Sequence, residues 1–101
     1  MTFRLAEHGR AFATRPRGVE LLGALESQAR PGDLAIIDFT GVLSVSYSFA
    51  DEFVGRLLER QAQGELPFAV RLTNISPGLQ RVIARCLDSR GVAHAEMLAL
   101  A

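Results

Sequence analysis

The segment Leu34-Ala35-Ile36-Ile37-Asp38-Phe39 constrains the fold more than any other in the chain. It is a short, almost continuous apolar run set between the turn-forming Arg30-Pro31-Gly32-Asp33 and Gly41, the pattern of a strand covered on both faces. Such a strand needs neighbours in a sheet and helices above it, so the segment predicts the central strand of an α/β domain.

The flanking sequence supplies those partners. Thr2 to Ala6 alternates weakly before Gly9, which suits a first strand. Thr14-Arg15-Pro16 is a helix entrance, because proline is tolerated in the first turn, where its missing N–H is not needed. That helix should run to about Ala29, with Leu21, Leu22, Leu25 and Ala29 on one face. From about Phe49 to Ala62 a second helix is expected, its Phe49, Phe53 and Leu57 forming an i, i+4 row beside Val54 and Leu58. Asp51, Glu52, Arg56, Glu59 and Arg60 are left for the outside. Ser48 is the expected N-cap, with Asp51 three residues on as an acidic variant of the capping box. Phe68, Val70 and Leu72 mark one face of a later strand, closed by Asn74-Ile-Ser-Pro77. Ser76 then caps a helix with Pro77 at its first position, and Leu79, Val82, Ile83, Cys86 and Leu87 form its buried stripe before Gly91. Val92 to Ala101 reads as a last short strand. The expectation is one α/β domain over residues 1–101, a small mixed sheet of about four strands with helices packed against it.

Composition narrows the function. With 101 residues the chain has room for one core and no second domain. Eleven basic residues balance eleven acidic ones, which removes the electrostatic footprint of a general nucleic-acid binder. No apolar run approaches a bilayer span and no secretory leader is visible, so no membrane partner and a cytoplasmic location are expected. Every basic residue is arginine, which excludes a P-loop lysine and a Schiff-base lysine. Cys86 stands alone and is read as a small core hydrophobe. His8 and His94 have no Cys, Asp or Glu at metal-ligand spacing and are expected at the surface. The glycine-rich nucleotide signatures and the nucleophile elbow are missing as well, so no cofactor is expected.

One segment stands out. Asp38 ends the central strand, Gly41 turns the chain, and the hydroxyls of Ser44, Ser46, Tyr47 and Ser48 precede a helix. Strand ends and helix N-termini are where α/β folds meet ligands and anions. On spacing alone the plainer reading is favoured, with Ser48 only a cap and Asp38 only a partner for nearby backbone N–H groups. In an enzyme, Asp38 would serve as phosphoacceptor or base.

Asp38-Phe-Thr-Gly41-Val42 followed by Ser48-Phe49-Ala-Asp51-Glu52-Phe53 resembles the STAS-like bacterial family of unknown function, a branch related to anti-sigma factor antagonists. Thr14-Arg15-x-x-Gly18, Leu72-Thr-Asn74-Ile-Ser76 and Val82-Ile83 extend the resemblance from about Thr14 to Arg90. It implies a STAS-like fold and partner switching, in which the domain docks on a histidine-kinase-type ATPase or an anti-sigma factor and is released by phosphorylation at a helix N-terminus. The regulatory serine then falls on Ser48, although the wider group's Asp-Ser-Ser-Gly becomes Ser46-Tyr47-Ser48-Phe49 here. The expected contact surface runs from Ser44 to Arg56, with Ser46, Tyr47 and Ser48 at its centre and Asp51, Glu52 and Arg56 as rim charges. A small-anion or nucleotide sensor using the backbone from Ser46 to Phe49 is the alternative.

Overall fold

The computed structural model describes residues 1–94. Strands β1 (Thr2–Arg4), β3 (Leu34–Asp38) and β5 (Ala69–Thr73) form one sheet in the order β1-β3-β5, parallel throughout. Two short strands, β2 (Ala11–Phe12) and β4 (Ser44–Val45), pair in a second parallel ladder. The α/β class and the central place of Leu34–Asp38 are as expected. All pairings among the described residues are parallel, and in the main sheet β1 to β3 and β3 to β5 are each joined by a helix-bearing crossover that returns the chain in the same direction. The strand anticipated from Val92 lies largely outside the described residues, and Val92 to His94 are not in a strand.

Among the described residues, the central strand is fully buried on one face and only partly covered on the other. Phe3, Ile37 and Leu72 lie side by side in register and are buried, as are Ala35 and Val70. The alternate residues, among them Arg4, Leu34, Ile36, Ala69 and Arg71, are exposed or half-buried. The apolar run therefore overstates the coverage: Leu34 and Ile36 point away from the core that Ala35 and Ile37 enter.

Helix α1 (Arg15–Gln28) starts at Thr14, whose hydroxyl accepts the Arg17 N–H. The second helix comprises α2 (Tyr47–Ala50), a π-helical turn (Asp51–Gly55) and α3 (Arg56–Ala62) without a break. Within it the Arg56 N–H reaches the Asp51 carbonyl, five residues back. Helix α4 (Pro77–Ser89) is capped by Ser76, whose hydroxyl accepts the Leu79 N–H, and ends at Gly91 with φ 69°, as expected from sequence. Phe49, Phe53, Val54, Leu57 and Leu58 all enter the core.

At the edge of β5 away from β3, the Gln61 side chain bonds both the N–H and the C=O of Val70. The amide stands in for a neighbouring strand at that position, which blunts the edge against unwanted pairing.

Candidate functional site

The start of the second helix lies two residues earlier than the sequence suggests. Ser46 is the N-cap, its Oγ accepting the Phe49 N–H at 3.1 Å and donating to the Ala13 carbonyl at 2.9 Å. The Ser46 N–H is itself bound to the Phe12 carbonyl, an extension of the β2–β4 ladder. This long-range anchoring of Ser46, absent at Ser48, decides the cap. Ser48 is at the second helical position, half-buried, and Asp51 is no longer part of a capping box.

Asp38 and Gly41 shape the approach to that helix. Asp38 Oδ1 accepts hydrogen bonds from the Thr40 N–H and hydroxyl and from Asn74 Nδ2, at 2.7 to 2.9 Å. These donors, Asn74 first, hold the carboxyl below the usual range, so it stays anionic and is a weak base at neutral pH. Gly41 has φ 82° in a turn closed by the Val42 N–H on the Phe39 carbonyl, a conformation that favours glycine. Asp38 thus latches the ends of β3 and β5 together, and Gly41 turns the chain toward β4.

The loop so placed forms one wall of a shallow pocket of about 210 Å³. Val42, Leu43, Ser44 and Val45 face Ser76, Gly78, Leu79 and Val82 at the start of α4. Leu43 is 76% exposed. Beyond Val82, Tyr47 lies against the outer side of α4, its hydroxyl 3.1 Å from Ser89 Oγ and its ring 5.4 Å beneath the Arg85 guanidinium.

The charges expected on the rim do something else. Glu52, expected outside, is only 7% exposed. It binds Arg15 at 3.1 Å and Arg56 at 3.3 Å, and its Cβ sits against Gly18 of α1. Asp51 is half-buried and shared by Arg15 and Arg90, each at 2.9 Å. The Arg90 guanidinium in particular holds the Asp51 carboxyl below the usual range. Arg56 stays exposed. The six expected contact residues therefore divide: Ser46 is spent on capping, Ser48 is half-buried in the first helical turn, Tyr47 packs on Arg85 and Ser89 of α4, and Asp51, Glu52 and Arg56 join an ionic network linking α1, the π turn and α4. Sequence reasoning passed over Leu43, Leu79 and Val82 as a surface, and gave Arg90 no role.

The histidines are not simply at the surface. His8 is half-buried and stacks on Phe3 at 4.9 Å, and His94 is 2.7 Å from Asp88. Among the described residues no group of three or more His, Cys, Asp or Glu side chains is arranged to hold a metal ion. Nor is any described helix long and apolar enough to cross a membrane.

A family model described as a STAS-like domain of unknown function (DUF4325) matches residues 17–79, which run from the first turn of α1 to the first turn of α4. The chain belongs to this family. Neither a curated protein nor a solved structure matches it. The matched span of the STAS-like domain contains the Asp38 latch, the Gly41 turn, the capped helix and the pocket but for Val82, while Tyr47's partners Arg85 and Ser89, and Arg90, lie beyond it.

Proposed function

We propose that this STAS-like domain is a noncatalytic, cytoplasmic interaction module that docks on a histidine-kinase-type ATPase or an anti-sigma factor. The observation that carries the reading is Leu43, an exposed leucine at the lip of a shallow pocket of mixed apolar and polar lining. An exposed large apolar side chain beside Val42, Val45, Leu79 and Val82, with Ser44 and Ser76 as polar neighbours, has the composition of an interface centre. Family membership supports the partner class through the relation of the STAS-like branch to anti-sigma factor antagonists.

Phosphorylation of Ser48 is the switch in this reading. Because Ser46 does the capping, the Ser48 hydroxyl is free of that duty. A phosphate there would add about −1.5 to −2 charges at the helix N-terminus, favoured by the helix dipole and opposed by Asp51 one turn on. The alternative of an anion or nucleotide sensor has less support, since Ser46 already occupies the Phe49 N–H and Phe12 the Ser46 N–H.

Affinity capture from the native host with wild type and Ser48→Asp, read by mass spectrometry, tests both parts. An ATPase or anti-sigma factor bound by wild type and lost in Ser48→Asp, with phosphate on Ser48, is expected. A partner of neither class, or one held equally by both forms with Ser48 unmodified, overturns the switch.

A further inference from the structure

We infer that Arg90 is the positioning residue that selects the π register of the second helix, and so sets the direction in which Tyr47 and Ser48 are presented. The sequence from Ser48 repeats in fours: Ser48, Glu52, Arg56 and Arg60 are polar or charged, Phe49, Phe53 and Leu57 are apolar, and so are Ala50, Val54 and Leu58. The remaining row is Asp51, Gly55 and Glu59. At about 100° per residue, a row of period four drifts about 80° over eight residues of α-helix. The π turn at Asp51–Gly55 takes up one additional residue and cancels most of that drift.

The apolar rows do not by themselves demand this, because a drift of about 80° still fits within an apolar stripe of about 100°. The ionic row does. Arg90 Nε and Nη2 bind the two Asp51 carboxylate oxygens at 2.9 and 3.1 Å, Nη2 also binds the Asp51 carbonyl at 3.2 Å, and Nη1 binds Glu59 at 3.0 Å. One planar guanidinium reaches both carboxylates only if they stand nearly in line. Gly55 lies between them without a side chain, and a Cβ there would be 2.9 Å from Arg90 Nε. The carbonyl at the head of the π turn, the two acids on either side of it and the glycine beneath are thus matched to one arginine arriving from α4. Without it the helix reverts to α, and the part before the turn rotates by up to about 100° relative to the part after it.

The register claim stands whether or not the neighbouring surface docks a partner, and only its consequence for presentation rests on that reading. The test is the through-hydrogen-bond NMR coupling between the Arg56 amide nitrogen and the Asp51 carbonyl carbon. It is expected in wild type and lost in Arg90→Ala, replaced by a coupling from the Gly55 amide. Arg90→Lys, which keeps the charge without the fork, should behave as Arg90→Ala does and serves if the alanine variant does not fold. Tyr47, the one tyrosine in the chain, reports the rotation as a shifted ¹⁹F resonance after fluorotyrosine incorporation. Persistence of the Arg56–Asp51 coupling in a folded Arg90 variant overturns the inference.

Discussion

Gly18 of α1 and Glu52 of the π turn approach so closely that a Cβ on the glycine would lie 2.9 Å from the Glu52 Cβ and 3.2 Å from the Phe49 carbonyl oxygen. Two helices meet here at backbone distance, and the contact buries an acid whose charge is then answered by Arg15 and Arg56. Gly18→Ala should therefore destabilise the fold by about 1–3 kcal/mol through overpacking. Gly23, in the same helix, has nothing within 4 Å of a Cβ, so Gly23→Ala should stabilise by about 0.5–1 kcal/mol. Urea denaturation of the two variants beside wild type checks both signs.

The cap assignment makes a second contrast. Ser46→Ala should cost about 1 kcal/mol, since the hydroxyl is lost as acceptor for Phe49 and as donor to Ala13. Ser48→Ala should lie within about 0.5 kcal/mol of wild type. The reverse order in thermal melts would restore Ser48 as the cap.

Acid should weaken the fold through Asp51 and Asp38. Arg90 above all lowers the pKa of Asp51, and Asn74 that of Asp38, so the folded state binds protons less readily than the unfolded chain. Their contribution is fully present above the ordinary carboxylate value of about 4 and is lost as pH falls through the lower folded values. Asp51→Asn should be less stable than wild type at pH 6 and lose less between pH 6 and pH 3. Denaturant midpoints at the two pH values measure it.

Cys86 is buried, and burial pushes its thiol up to about 11. At pH 8 the folded protein should react with a thiol-specific disulfide reagent far more slowly than the chain in denaturant. Equal rates would mean that α4 opens readily.

Local patterns carried most of the fold. The Leu34 run, the Phe49-Phe53-Leu57 row and the Ser76-Pro77 entrance each encode their element within a few residues, and each was legible. The two-residue strands β2 and β4 were not, because their existence depends on Arg10 and Phe12 meeting Leu43 to Ser46 across some thirty residues. That same meeting moves the cap from Ser48 to Ser46. Glu52 looked external because helical periodicity does not reveal a neighbouring helix that approaches through a glycine. Glycines at 18 and 55 inside helical pattern were the available signal for such close approach. The four-residue repeat after Ser48 is likewise a signal for the π turn.

In the proposed function, the face around Leu43 is where the partner sits. The decisive measurement is capture of a histidine-kinase-type ATPase or anti-sigma factor from the host by wild type, Leu43→Glu and Arg71→Glu, the last on the exposed face of the sheet. Wild type and Arg71→Glu should retain the partner and Leu43→Glu should lose it. Retention by Leu43→Glu at wild-type level, or capture of neither class by wild type, would contradict the account.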